Sequence, residues 1–177
     1  MNYTIEIILN EPSREFLFFW GHQPSRDGSI IKTCMSQWWL APFEENGIVY
    51  KTAEHYMMAG KARLFNDEVT LERVLQKDSP KDVKDLGRQI QNFDAGLWDS
   101  KKFEIVRQAN YLKFSQNNEL MNFLSQTGNK ILVEASPVDR IWGIGLAEDH
   151  QDAMNPLKWK GENLLGFALM EVRDQLK

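Results

Sequence analysis

A chain of 177 residues, 42% hydrophobic and 26% charged, has the size and balance of one globular domain with a proper core. Its formal net charge of −4 argues against general nucleic-acid binding, which needs a basic surface. A small phosphorylated ligand stays possible, because a local group of Lys and Arg would hold it.

Cys34 is the only cysteine, so no intrachain disulfide is expected. The first ten residues contain Glu6 and Asn10 and do not read as a signal peptide. No apolar run approaches the roughly 20 residues that cross a bilayer, so no membrane contact and a cytoplasmic, reducing setting are expected. His22, His55 and His150 are too scattered for a recognised metal spacing. Neither a metal nor a cofactor is expected.

Tyr3, Ile5, Ile7 and Leu9 alternate with Asn2, Thr4, Glu6 and the less compliant Ile8, which predicts a short strand ending at Asn10-Glu11-Pro12-Ser13. Phe16 to Trp20 is a short apolar run and predicts a buried strand, followed by a turn at Gly21 and Pro24 to Gly28. Met35 to Phe43 is an aromatic loop in which adjacent Trp38 and Trp39 cannot both face inward if the chain is extended. Asn46-Gly47 signals a turn before a strand at Ile48-Val49-Tyr50.

Thr52 then caps a helix running through Lys61 to Phe65. A short helix over Val69 to Leu75 follows the break at Asn66-Asp67. Ser79-Pro80 starts another, with Val83, Leu86 and Ile90 on one side and Gly87 open to close backbone approach. Asp99 or Ser100 is expected to cap a long helix to about Phe114, with Phe103, Val106 and Tyr111 on its packing face. Asn117-Asn118 restart a helix through Leu124, closed by Gly128 in a left-handed cap. Ile131 to Val133 reads as a strand, and Glu134 to Gly145 as a shaped loop. Asn163 is expected to cap the last helix, whose stripe of Leu164, Phe167, Ala168 and Val172 is core.

The informative stretch is Thr52 to Ala62. Glu54 falls in the first turn, and Met57, Met58 and Lys61 follow at three, four and seven residues, on the same face. An acid and a base on a mainly apolar face make either an internal ion pair or the wall of a pocket. Glu54 and Asp139, with Trp38, Trp39, Trp98 and Trp142 as aromatic walls, suit cleavage of a glycosidic bond. A carboxylate stabilises its oxocarbenium-like transition state and activates water. Lys61, Arg88 and Lys113 are candidates for holding a phosphate.

The ordered motifs carry a resemblance. They are Glu54-His55-Tyr56 with Lys61-Ala62; Ser79-Pro80 with Lys84 and Gly87-Arg88; Trp98; Lys113-Phe114; and Thr127-Gly128. Leu132-Val133-Glu134, Asp139, Trp142-Gly143-Ile144-Gly145 and Gly161 to Gly166 complete them. From about Phe18 to Arg173 the chain resembles the YbiA-like (NADAR) family. The resemblance implies a compact, mainly helical α+β domain with a few short strands, a single domain over 1–177.

The resemblance further implies an N-glycosidase that hydrolyses an early riboflavin-pathway intermediate, a phosphoribosylamino-pyrimidine, to base and ribose 5-phosphate. Other members are implied to remove ADP-ribose from a nucleobase, and a non-catalytic ADP-ribose or NAD-binding module is the remaining alternative. The partner is thus a small phosphorylated nucleotide-like substrate, with nucleic acid entering only as an ADP-ribosylated substrate. By motif position the family trio is Glu54, Trp98 and Asp139. Glu54 would activate water or stabilise the cation, its first-turn position helping to keep it ionised. Trp98 would stack on the base or ring, and Asp139 would bind sugar hydroxyls or assist proton transfer. With Lys61, Arg88, Lys113, Trp38 and Trp142, the motif residues Gly143 and Asn163 make up the expected substrate-binding set. One departure bears on substrate identity: Ser36-Gln37-Trp38 stands where many relatives read Ser-Asn-Phe.

Overall fold

The computed structural model describes residues 1–11 and 15–177. Among them are seven α-helices and two two-stranded sheets, the α+β class that the sequence implied. The first half holds α1 (Ile5–Leu9), β1 (Phe16–Phe19), β2 (Phe43–Glu45), β3 (Ile48–Tyr50), α2 (Ala53–Leu64), α3 (Glu68–Gln76) and α4 (Pro80–Gly87). Then come α5 (Ala95–Ser115), α6 (Asn118–Gln126), β4 (Ile131–Glu134) and α7 (Leu164–Gln175). The chain divides into two compact units, residues 37–117 and residues 1–36 with 118–177.

The 37–117 unit opens with a hairpin in which β2 and β3 pair antiparallel, Phe43 opposite Tyr50. Asn46 and Gly47 between them both have positive φ, +53° and +78°, the geometry in which a two-residue turn matches strand twist. Helix α2 starts on Thr52, whose hydroxyl accepts the His55 N–H. It packs against α3, α4 and α5.

Each of those three helices has a side-chain cap. Asp67 accepts from Thr70, Ser79 from Asp82 with Pro80 in the first turn, and Asp94 from Leu97. The long helix α5 therefore begins at Ala95, earlier than a cap at Asp99 or Ser100 would place it. Asp94 lies three residues before Leu97, and its carboxylate satisfies a first-turn N–H before Asp99 is reached. Val83, Leu86 and Ile90 are buried as expected.

In the other unit, β1 pairs in parallel with β4, in register from Phe16 opposite Ile131 to Phe19 opposite Glu134. Helix α6 precedes β4, with Gly128 at φ +61° between them. Helix α7 packs on β4, and its expected stripe is buried.

The first segment corrects the sequence reading. Ile5–Leu9 form the short helix α1 instead of a strand. Thr4 caps it by accepting the Ile7 N–H, and Ile8, the residue that broke the alternation, is its one buried side chain. Burial of that single residue outweighs the period-two pattern of its neighbours. The expected break at residues 10–13 lies partly outside the described residues.

Candidate functional site

In the 37–117 unit, Glu54 is only 2% exposed, on the second residue of α2. Three hydrogen bonds fix that first turn. The Glu54 N–H donates to the Gln37 carbonyl at 3.0 Å, the His55 N–H to the Thr52 hydroxyl, and the Tyr56 N–H to the Thr52 carbonyl. The Gln37 side chain is itself held, its Oε1 accepting from Asn110 Nδ2 at 2.8 Å, while that amide also donates to the Val106 carbonyl on α5. Sequence reasoning marked Gln37 as a departure but missed its hold on the Glu54 backbone. It also missed the bond to Asn110, which joins residues 73 apart.

His55 is buried between Thr52 Oγ1, 2.8 Å from Nδ1, and the Lys77 carbonyl, 3.1 Å from Nε2. A carbonyl can only accept, so Nε2 carries the proton and Nδ1 accepts from the Thr52 hydroxyl. Burial pushes the His55 pKa below its ordinary 6.5; the Lys77 carbonyl opposes this and the nearby Lys51 charge adds to it.

Lys61 forms no ion pair among the described residues, so the Glu54–Lys61 pair that the spacing allowed is not made. Its ammonium donates to the Gly87 carbonyl at 2.7 Å and stands 4.3 Å from the Phe93 ring centre and 5.4 Å from that of Trp98. Burial holds its pKa below the usual lysine value. Trp98, half-buried, leans on the cluster of Ala62, Phe65 and Ile90. The structure thus brings Lys61 and Trp98 together and adds Phe93, which the sequence did not single out.

Trp39 is buried and Trp38 half-buried, with Lys84 Nζ 5.8 Å from the Trp38 ring centre; the two lie in a turn, so the alternation expected of an extended chain does not apply to them. Lys113 is fully buried on α5, its Nζ 5.1 Å from the Phe114 ring centre. Arg88 is exposed and donates to Asp85 at 2.7 Å.

The remaining expected site residues belong to the other unit. Asp139 shapes the loop after β4: its Oδ1 accepts the Ile141 and Trp142 N–H groups at 2.9 and 2.8 Å, and its own N–H donates to Ser136. Trp142 is half-buried. Gly143 is buried where a Cβ would lie 2.8 Å from the Glu134 carbonyl oxygen. Asn163 has left-handed backbone at φ +56° and does not cap α7 with its side chain, against expectation. Its amide serves β4 instead, donating to the Leu132 carbonyl at 2.9 Å and accepting the Glu134 N–H at 3.0 Å. That leaves the amide a clamp on the strand. Among the described residues no group of three or more His, Cys, Asp or Glu is placed to hold a metal ion. Nor, among them, is any helix long and apolar enough to cross a membrane.

Residues 18–177 match the model of the NADAR domain. The chain is 43% identical over 166 residues to N-glycosidase R617 of Acanthamoeba polyphaga mimivirus, covering 91% of this chain and 96% of that one. It is 35% identical over 135 residues to N-glycosidase YbiA of Escherichia coli (strain K12), covering 76% of each. The NMR structure of the E. coli protein YbiA is similar with a TM-score of 0.73 and 29% identity, over 93% of this chain and 86% of that one. A likeness of this extent in both sequence and backbone places the chain in the NADAR domain family.

Proposed function

We propose that the chain hydrolyses the N-glycosidic bond of a phosphoribosylamino-pyrimidine, releasing the base and ribose 5-phosphate. At the coarser level the chain is an N-glycosidase of the NADAR family. The observation that carries the finer reading is the α2 face, with a buried carboxylate in the first turn and, seven residues on, an ammonium set against Trp98 and Phe93.

In this reading the bond between the anomeric carbon and nitrogen breaks with positive charge building on the sugar. Glu54 stabilises that charge and takes a proton from the attacking water, whose oxygen joins the anomeric carbon, while the departing nitrogen gains a proton. Trp98 offers its ring to the base. Lys61 directs one N–H to Gly87, which leaves two for an anionic oxygen of the substrate. Asp139 is assigned the sugar hydroxyls or a proton transfer, a role that its Oδ2 can take while Oδ1 holds the loop. Arg88 remains a candidate for the phosphate and Trp38 and Trp142 for substrate contact, while Lys113, Gly143 and Asn163, all buried, fit a supporting role instead of direct contact.

The test is sugar release, followed by chromatography, from a ribosylamino-pyrimidine phosphate and from an ADP-ribosylated guanine. Glu54→Gln, nearly isosteric, is run beside the wild type. Ribose 5-phosphate is expected from the pyrimidine with wild type only, the variant keeping its circular dichroism spectrum. Turnover by Glu54→Gln would remove Glu54 from the mechanism. Release from the guanine substrate alone would move the assignment to ADP-ribose removal.

A further inference from the structure

We propose that Gln37 and Asn110 are positioning residues for the glycosidase reaction, together fixing the first turn of α2 so that the Glu54 carboxylate meets the anomeric carbon. This rests on the assignment of Glu54 as the group that stabilises the cation and activates water.

The first N–H groups of a helix have no partner within it. That of Glu54 is taken by the Gln37 carbonyl at 3.0 Å. Gln37 lies in a turn outside every helix and strand, so no ladder of backbone bonds fixes that carbonyl. Its side chain supplies the fixing point on α5, where Oε1 accepts from Asn110 Nδ2 at 2.8 Å. The same Nδ2 donates its other hydrogen to the Val106 carbonyl, also at 2.8 Å. A backbone carbonyl can only accept, so Val106 sets the orientation of the Asn110 amide, and Gln37 must turn its oxygen toward Nδ2. Neither amide can flip without losing a bond. The start of α2 is thereby referred to one point on α5.

Stability does not account for the pair. Gln37 is 6% exposed and Asn110 fully buried, and they make one bond with each other. Gln37 Nε2 and Asn110 Oδ1 lie buried with no partner among the described residues. Each such group costs free energy that two apolar side chains of the same shape would not incur. What the amides provide instead is a defined geometry, and displacement of a reacting group by about 1 Å can lower a rate on the order of 100-fold. Val106, Asn110 and Lys113 follow one another at four and three residues and are all fully buried, so one inward face of α5 carries both this tie and the Lys113 side chain.

Gln37→Met combined with Asn110→Leu replaces both amides by apolar side chains of similar size. Melting temperature, deuterium exchange at the Glu54 N–H, and kcat and KM on whichever of the two substrates the wild type hydrolyses are then compared with the wild type. The double variant is expected to melt at or above the wild-type temperature. Its Glu54 N–H should exchange at least about tenfold faster, that of Ala59 in the middle of α2 should not, and kcat should fall at least about tenfold at unchanged KM. Gln37→Asn, which keeps the amide but shortens its reach by one methylene, is the second variant and should reproduce the exchange and kcat changes. Wild-type exchange at Glu54 in both variants, a readout that needs no substrate, or wild-type kcat in either would overturn the proposal. So would a double variant that melts lower yet keeps its kcat, the result of a purely structural pair. Glu54→Gln run alongside separates the two readings. Its turnover would remove Glu54 and the proposal together, whereas an inactive Glu54→Gln beside a fully active double variant removes the positioning role alone.

Discussion

Around Lys61 a carbonyl and two aromatic rings crowd one ammonium, and burial there pulls its pKa down. If the ammonium meets an anionic oxygen of the substrate, Lys61→Met should lower kcat/KM by about 10- to 100-fold, since hydrogen bonds to charged groups contribute roughly 1.5–3 kcal/mol. The melting temperature should move little, because a methionine covers the same rings and the desolvated charge is gone. Steady-state kinetics beside a thermal melt check both parts. His55 gives a second prediction. Its pKa is lowered in the fold, so the neutral form is the native one and its contribution to stability is fully present above 6.5, the unfolded value. That contribution falls away as pH drops below 6.5 through the folded pKa. Denaturation midpoints between about pH 7.5 and pH 5 should decline for the wild type and flatten in His55→Gln. At this scale the sequence exposed what periodicity can expose: Glu54 and Lys61 share a helix face because their spacing makes it so. Phe93 and Asn110 were invisible, since their roles depend on contacts that no local pattern encodes.

Helices with a cap residue, or with a Pro or Gly marker at one end, were legible, and α2, α3, α4 and α6 lie close to where those signals put them. Differences arose where two local signals competed. Asp94, Asp99 and Ser100 could each cap α5, and only the Leu97 N–H decides for Asp94. At Asn163 the same amide could cap a helix or clamp a strand, and the distant β4 backbone claimed it. Two glycines show how the junctions between elements differ in tolerance. A Cβ on Gly87 would lie 1.9 Å from Met58 Sδ, the flexible part of a side chain that can swing away. A Cβ on Gly166 would lie 2.1 Å from the Leu132 carbonyl oxygen, which the strand holds in place. Gly166→Ala should therefore lower stability by about 2–4 kcal/mol, as overpacking against a rigid neighbour does, and Gly87→Ala by about 1 kcal/mol or less. Urea unfolding of the two variants would separate them, and equal losses would contradict the difference in their neighbours.

Over the whole molecule, a net charge of −4 sets how polyanions are met. A fluorescent single-stranded oligonucleotide should show no saturable rise in anisotropy at physiological salt, because counterion release needs clustered cations that an acidic chain does not broadly present. Saturable, salt-sensitive binding would instead favour a nucleic-acid-borne substrate. The chain order of the small parallel sheet reaches beyond the folded state. Because Phe16–Phe19 pair with Ile131–Glu134, the first of these strands emerges from the ribosome more than a hundred codons before its partner. During that interval Phe18 and Phe19 are an apolar strand with an open edge, the kind of segment that chaperones cover and that aggregates if left alone. A nonsense codon anywhere before Ile131 makes that interval permanent, so truncated products should be cleared or precipitate even when every residue of α2 has been translated.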